Sequence, residues 1–596
     1  MAFVFPPPAL LHRLGHLSRI GPARAFRRAA QDLRASQTAH LEALLAANAG
    51  TRYGLQHGFA STSAAQYAAR VPLLGPAALA PLVRAAMEGE RGVLTTQPPI
   101  YYVRTTGSTG APKHVPVTRG YLAEFQRTVH VSLYHLRAVC PEAFRGRALY
   151  FVGSCKVARA ADGCDVGTMS GFNFTQMPRL VRQIYAWPYE LFEVQDLEAR
   201  GLLALLLAVA RDVSLIAGIF PAPIVYLLRD LAARAPLLAR ALRDGRLPDQ
   251  VSQALSPAQR ALFTDALGAK SRQLGARLDR AAAAPEDERT AIALPALRLV
   301  YCWTTATAAL YVPELQRRVG PGVLVRDAIY SACEGWCSIP MGEERPGGAL
   351  AVTSHYFEFI PEAQAGSALA AAAEGRPHDA LRAWELQDGE RYLIVLTTAA
   401  GLYRYLLGDI VEVCGYHEAT QTPRIRFVRK HGASSNLAGE KLDESHVNRA
   451  VGEALAAVGA EATFFTLVPE PALGEASQPG YALLFEPSRR PLTPEAAERL
   501  RARADAALGE ASYDYGRLRA GNGLRALRLV QLAAGSYARV RQERGRDGSA
   551  EAQLKIAHLT AEAAALAPQL RSALEGAHDA SMASALNAAL PTEAEQ

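Results

Sequence analysis

From Thr105 to Thr118 the chain reads TTGSTGAPKHVPVT, hydroxyl residues and glycines leading into one lysine. Such a run can hold an anion. Small residues let the backbone come close to phosphate oxygens, Thr106, Ser108, Thr109 and amide N–H groups can donate to them, and Lys113 can offset their charge. The spacing is not the GxxxxGK[ST] of P-loop nucleotidases: the glycines are Gly107 and Gly110, and Lys113 stands between Pro112 and His114. On these residues alone, a phosphate cradle and a solvated Gly/Ser/Thr turn are both open. His114 is assigned to the start of the VPV strand, since a base needs geometry that a sequence does not supply.

Three later stretches carry further chemistry. DAIYSACEG (327–335) is an apolar strand ending in small residues and a carboxylate, Glu334. LTTAAGLYRYLLGDIVEV (396–413) brings Tyr403-Arg404 and then Gly408-Asp409. FVRKHGASSNLAGEKLDE (427–444) brings Arg429 and Lys430. Each has a plain alternative: a surface carboxylate for Glu334, a turn carboxylate for Asp409, a solvated pair for Arg429 and Lys430. Their order and spacing are more specific than any one of them, and resemble the adenylate-forming superfamily.

The finer resemblance is to the plant auxin-responsive acyl-acid amido synthetases, the Gretchen Hagen three family, and their bacterial relatives. It is carried by NAGTRYGLQHGF (48–59), YSACEG, HYFEFIP (355–361), AGLYRYLLGD (400–409), GEKLDE (439–444) and QLKIAHL (553–559), and spans about residues 37 to 560. Such enzymes bind ATP and Mg²⁺ in a large N-terminal domain, form an acyl-adenylate, and rotate a smaller C-terminal domain for attack by an amine. The resemblance implies that Thr106, Ser108, Thr109 and Lys113 face the ATP phosphates. Tyr330, Ser331, Ala332 and Cys333 would line the adenine side, Glu334 would hold Mg²⁺, and Asp409 would accept from the ribose hydroxyls. At the hinge the family shows arginine directly after glycine; here Arg429-Lys430 stands there, with Lys430 at the cation position but without the arginine fork. Lys555 resembles the late lysine that swings to the phosphates, although the family's following proline is Ala557 here. The acyl pocket is assigned to GCDVGTMSGFNFTQMP (163–178) and YCWTTATAALY (301–311), with Phe172, Phe174 and Trp303 as candidate lining and core packing as their alternative.

These residues need a scaffold, and the 596-residue length is too great for one simple core. Short apolar strands at 147–153, 213–220, 297–303, 323–330, 348–361 and 391–398 alternate with helical patterns. That predicts an α/β fold: a large N-terminal domain, 1–428, with mixed sheets flanked by helices, and a smaller mobile α+β domain, 429–596. The turn-rich, charged segment 415–432 is the candidate hinge. The C-terminal unit is expected to hold helices over 444–459 and 492–509 and strands over 462–470 and 481–487. Segment 277–293 reads as a helix end and solvated loop. The arginine-rich N-terminus reads as a folded helix leading into another over 37–54 closed at Gly50, with a transit peptide as the alternative.

Composition narrows the partners. A net charge of +7, with both signs interspersed, gives no basic stripe for nucleic acid. Seven cysteines without a CxxC argue against a disulfide framework or zinc knuckle and for a reducing cytoplasm. LLALLLAVA (202–210) is too short to span a membrane, and VSLIAGIFPAPIVYLL (213–228) is interrupted by two prolines and reads as a buried strand entering a helix. The expected activity is ATP-dependent ligation of a carboxylic acid to an amine, notably an amino acid, through an acyl-adenylate. A thioester-forming acyl-CoA ligase and a non-catalytic nucleotide- or acyl-binding protein are the alternatives.

Overall fold

A computed structural model describes residues 7–104, 113–268, 271–342, 345, 347–431, 434–435, 437–438, 440, 442–470, 478–488, 490–521, 523–539 and 557–560. These form two compact units that divide between Phe427 and Val428.

The first unit is built on three sheets. An eight-stranded sheet runs, in spatial order, through Leu381–Arg382, Tyr356–Pro361, Arg391–Thr397, Tyr405–Tyr416, Pro423–Lys430 (whose last three residues pass into the second unit), Gly348–Leu350, Gly335–Ile339 and Tyr330–Ala332. A four-stranded sheet pairs Tyr101–Arg104 antiparallel with His114–Val117 and parallel with Asp165–Gly167. A third sheet is wholly parallel: Arg147–Tyr150, Val213–Ala217, Leu299–Tyr301 and Leu324–Arg326.

The parallel sheet needs covered faces, and the sequence supplies the cover. Helix Leu197–Ala210 is buried along its whole 202–209 stretch, as suits a helix that is apolar all round. Asp196 caps it, accepting from the Ala199 N–H at 2.7 Å. The VSLIAGIFPAPIVYLL segment is a strand, Val213–Ala217, followed by a helix that begins at Pro221, where a missing N–H costs nothing. No helix among the described residues is long and apolar enough to cross a membrane.

The N-terminal residues form helices Pro8–Gln31 and Leu33–Asn48. The first buries Leu11, His12, Ala23, Phe26 and Ala30. The second ends at Asn48, before Gly50, because Thr51 caps a separate short helix, accepting from the Gly54 N–H at 3.0 Å.

Segment 277–293 holds the expected helix end, at Ala283, and solvated turn, 284–288, followed by a further short helix, Arg289–Ala293, with Thr290 and Ala293 buried. One expectation is corrected. The single strand expected over 348–361 is two, Gly348–Leu350 and Tyr356–Pro361, which are not neighbours in the sheet. Ser354 turns the chain between them, its N–H and hydroxyl both donating to the Ala351 carbonyl. Within the candidate hinge segment 415–432, residues 417–422 form the turn of a hairpin, closed by His417 N–H donating to Thr422 O at 2.9 Å, and the division between the units falls further along, between Phe427 and Val428. Turn residues and charge are what such a tip requires.

The second unit carries antiparallel strands Ala462–Glu470 and Gly480–Pro487, with Arg528–Gln531 parallel to the latter. Helices Glu444–Val458 and Pro494–Ala511 pack on each other.

Candidate active site

Glu334 lies in the two-residue turn between strands Tyr330–Ala332 and Gly335–Ile339. The turn is pressed into the unit: a Cβ on Gly335 would meet His355 Nε2 at 2.9 Å and Leu396 Cδ1 at 2.9 Å. Glu334 is buried, and its Oε1 accepts from the Tyr405 hydroxyl at 3.3 Å. Tyr405 comes from another strand of the same sheet.

Asp409 sits on that strand, Tyr405–Tyr416, beside an irregularity. Opposite the step from Leu393 to Val395, the strand goes from Ile410 to Leu406, two residues more than its partner. Gly408 lies in this slip with φ 80°. A bulge of this kind re-aims the side chain next to it, and glycine is the residue that takes the positive φ without strain. The buried Asp409 accepts from the Tyr330 hydroxyl at 2.7 Å. Burial, then the Asp409 charge, holds the Tyr330 phenol far above its ordinary range, so it remains a donor. Burial and the carboxylates of Glu334 and Asp409 do the same to Tyr405. The two carboxylates are thus gathered around two phenols, one on the edge strand Tyr330–Ala332 and one on the interior strand Tyr405–Tyr416 of the same sheet.

Of the residues predicted to line the adenine side, Tyr330 is buried against Asp409, and Ser331, Ala332 and Cys333 are half-buried beside Glu334. All seven cysteines are thiols. Tyr403 and Arg404 are interior supports. The Tyr403 hydroxyl donates to Leu94 O at 2.7 Å, and its ring stacks on Tyr53 at 5.1 Å. Arg404 is wholly buried, with Nε donating to Glu358 Oε2 at 3.0 Å, Nη1 to Ala68 O at 2.8 Å and Val71 O at 3.0 Å, and Nη2 to His378 O at 2.8 Å. Its φ of 46° is a left-handed conformation that a non-glycine residue holds only when its surroundings determine it.

Lys113 is exposed, one residue before His114, which pairs with Arg104 in the sheet. Burial, then Arg104, lowers the His114 imidazole. Thr106, Ser108, Thr109 and Lys555 lie outside the described residues. The acyl-pocket candidates each pack against a different neighbour. Phe172 stacks on Tyr101 at 4.2 Å, Phe174 is fully buried against Tyr185, and half-buried Trp303 donates from Nε1 to Ile329 O at 2.7 Å. In the neighbouring Thr304-Thr305-Ala306 run, Ala306 has φ 50°, a conformation glycine adopts more freely.

In the second unit, Arg429 Nε lies 3.2 Å from Asp443 Oδ2. Asp443 is the N-cap of helix Glu444–Val458 and accepts from the Ser445 and His446 N–H groups at 2.9 and 3.1 Å. Burial raises its carboxyl, but the Ser445 bond, His446 and Arg429 outweigh it and leave the carboxyl below its ordinary value. Lys430, next in the strand, is exposed. Glu440 is buried and accepts from the Leu437 and Ala438 N–H groups at 2.6 and 2.7 Å, and from the Tyr481 hydroxyl.

The residues just after Lys555 are anchored. Thr560 N–H donates to Leu467 O at 3.1 Å, Leu467 N–H to His558 O at 2.8 Å, and His558 N–H to Glu444 Oε1 at 2.7 Å. His558 Nδ1 lies 2.8 Å from Asn448 Oδ1. Burial lowers this imidazole from 6.5 to about 3, so it stays neutral in the fold while the unfolded chain takes up the proton. The stability it supplies is whole above its unfolded value of 6.5 and is lost as pH falls toward 3. Melting at about pH 7.5 and about pH 4.5 should therefore show a smaller acid-induced drop for His558→Gln than for the wild type. Equal drops would contradict this origin of the acid sensitivity.

Family models match three successive stretches: the GH3 family N-terminal domain over 22–324, the central domain over 348–430 and the C-terminal domain over 445–564. The chain belongs to the GH3 family. Glu334 falls between the first two matched stretches, Asp409 within the central domain and the anchored 557–560 segment within the C-terminal one. Among GH3 relatives, the probable indole-3-acetic acid-amido synthetase GH3.12 of Oryza sativa subsp. japonica is 29% identical over 466 residues, covering 72% of this chain and 74% of that one. The jasmonoyl–L-amino acid synthetase JAR4 of Nicotiana attenuata is 24% identical over 460 residues, covering 75% and 77%. The solved GH3.15 acyl acid amido synthetase shares the fold, with a TM-score of 0.80 over 94% of this chain and 96% of that one at 17% identity.

Sequence reasoning passed over Tyr405, Tyr121, Glu124 and His355, all buried around the Glu334 turn. Tyr405 stood inside the quoted AGLYRYLLGD run, where Tyr403-Arg404 drew attention and nothing local singled out the second tyrosine.

Proposed function

We propose that this GH3 protein adenylates a carboxylic acid with ATP and transfers the acyl group to an amine, an amino acid in the simplest case, forming an amide and releasing AMP and pyrophosphate. The observation that carries this reading is the gathering of Glu334 and Asp409 around Tyr405 and Tyr330 in a chain of this family.

The substrate carboxylate attacks the α-phosphorus of ATP, and the bond to the bridging oxygen breaks with pyrophosphate leaving. The amine then attacks the acyl carbonyl, AMP leaves, and the nitrogen sheds a proton. In the first step two anions meet, so the site has to offset charge and hold the groups in line. Lys113 serves the phosphates, with Thr106, Ser108 and Thr109 as donors. Asp409 accepts from the ribose diol while the Tyr330 phenol keeps its carboxylate oriented; Ser331, Ala332 and Cys333 flank the adenine. Lys555 approaches the phosphates for adenylation, and Arg429 and Lys430 act at the junction with 429–596, the domain that moves. The segment anchored by His558 fixes the chain beyond Lys555.

A buried carboxylate in a tight turn is a hard oxygen donor suited to Mg²⁺, which takes one or two protein carboxylates together with phosphate oxygens. Glu334 would hold it, and bound Mg²⁺ supplies charge neutralisation on the phosphates. Phe172 and Trp303 are retained as candidates near the acyl group. Phe174, fully buried, contributes by packing. A cytoplasmic location belongs to this reading, supported by seven cysteines that remain thiols.

ATP–pyrophosphate exchange over a panel of carboxylic acids, followed by product analysis with amino acids or CoA as acceptor, tests the proposal. Amide with AMP is expected. Thioester alone would make the protein an acyl-CoA ligase, and nucleotide binding without exchange for any acid would make it a binding protein.

A further inference from the structure

We propose that Tyr121 and His355 are positioning residues for Glu334, gripping its turn from both flanks. The inference rests on the reading that Glu334 faces Mg²⁺ and nucleotide. Neither residue touches a reacting group; each acts on the backbone that aims the carboxylate.

On the N-terminal flank, the Tyr121 hydroxyl donates to the Cys333 carbonyl at 2.7 Å. On the C-terminal flank, the Trp336 N–H donates to His355 Nε2 at 3.0 Å. An amide N–H can only donate, so Nε2 carries no proton there and the ring proton is on Nδ1. That nitrogen lies 3.2 Å from Glu124 Oε2. Glu124 also accepts from the Ala399 N–H at 3.3 Å and has His40 Nε2 at 3.4 Å from its other oxygen. Burial raises the Glu124 carboxyl, yet His355 and His40 outweigh burial and bring it below its ordinary value, so it stays an acceptor.

Tyr121 and Glu124 are three residues apart on helix Arg119–Val139, hence on one face. The helix is set by Thr118, whose hydroxyl donates to Ala399 O at 2.7 Å and accepts from the Tyr121 N–H at 3.1 Å. Tyr121 and His355 stack at 5.9 Å, and both rings lie against Trp336, at 4.9 and 5.8 Å. Tyr121, Glu124 and His355 are all essentially without solvent. Fixing the Cys333 carbonyl fixes the peptide plane that enters Glu334, and fixing the Trp336 N–H fixes the plane just after Gly335, so the two-residue turn is held at both ends. The helix that follows the strand after Lys113 therefore also aims the carboxylate on the far sheet, which links the two halves of the phosphate site within one unit.

The test uses the full chain with Tyr121→Phe, His355→Leu, His355→Gln and Glu334→Gln. ATP binding is measured by calorimetry with and without Mg²⁺, beside the Mg²⁺ dependence of ATP–pyrophosphate exchange and a melting curve. Removing an outer partner of a metal-binding group costs tenfold or more. Tyr121→Phe and His355→Leu are therefore expected to cut the gain in ATP affinity that Mg²⁺ brings by about tenfold. Mg²⁺-free ATP affinity and the KM for the acid should stay unchanged. His355→Gln, whose amide can accept from Trp336 and donate to Glu124, should recover most of the gain. A full Mg²⁺ gain in both Tyr121→Phe and His355→Leu overturns the inference, as does an equal loss of Mg²⁺-free binding. If Glu334→Gln itself keeps the wild-type gain, the assignment of Glu334 falls first and the positioning role with it. If Glu334→Gln loses the gain and the other variants do not, only the positioning role fails.

Discussion

Glu334→Ala and Asp409→Ala each lower ATP–pyrophosphate exchange by at least about a hundredfold, the scale seen when one preorganised electrostatic partner is removed from an active site. The two losses should differ in kind. Glu334 occupies a turn held by other residues, and its one described bond is a 3.3 Å contact from Tyr405, so truncation leaves the hairpin in place. Its loss should appear as a weakened response to Mg²⁺. Asp409 accepts from the buried Tyr330 hydroxyl at 2.7 Å, so its truncation also leaves a phenol without that acceptor. Asp409→Asn keeps an acceptor for Tyr330 and should restore the melting temperature without restoring exchange. Near-normal exchange in Glu334→Ala or Asp409→Ala, in folded protein, would remove that residue from the site.

The largest effect on stability is expected at Arg404. Its guanidinium is fully buried, pairs with the equally buried Glu358, and donates to three carbonyls on two chain segments, Ala68 and Val71 on one and His378 on the other. Breaking a buried pair by removing one partner typically costs about 3–5 kcal/mol, because the charge left behind has neither water nor counter-ion. Arg404→Met should therefore lower the unfolding free energy by roughly that amount in urea titration. Replacing both partners, Arg404→Met with Glu358→Leu, should cost less than the two single changes added together, since no orphan charge remains. Additive losses would show that the pair itself contributes little. The damage should also reach the site, because the Arg404 backbone N–H donates to Thr397 at 3.0 Å and its successor is Tyr405.

The sequence by itself determined the α/β class, the order of the functional stretches and most elements whose signal is local. Strand Ala462–Glu470 lies where alternation and propensity placed it, and Pro221 opens the helix that its ring favours. The family was legible for the same reason: its motifs are short runs of neighbours. Tertiary structure alone decided what those residues touch. Tyr405 reaches Glu334 across 71 residues, Tyr330 reaches Asp409 across 79, and Tyr121 reaches Cys333 across 212. No periodicity encodes such distances. The split of 348–361 and the ordered hairpin at 416–423 were hidden likewise, because a turn within an apolar run and a charged strand tip look the same in sequence as a continuous strand and a linker. Local propensity sets which backbone shape a segment prefers; the close-packed sheet decides which distant side chain fills the space beside each carboxylate.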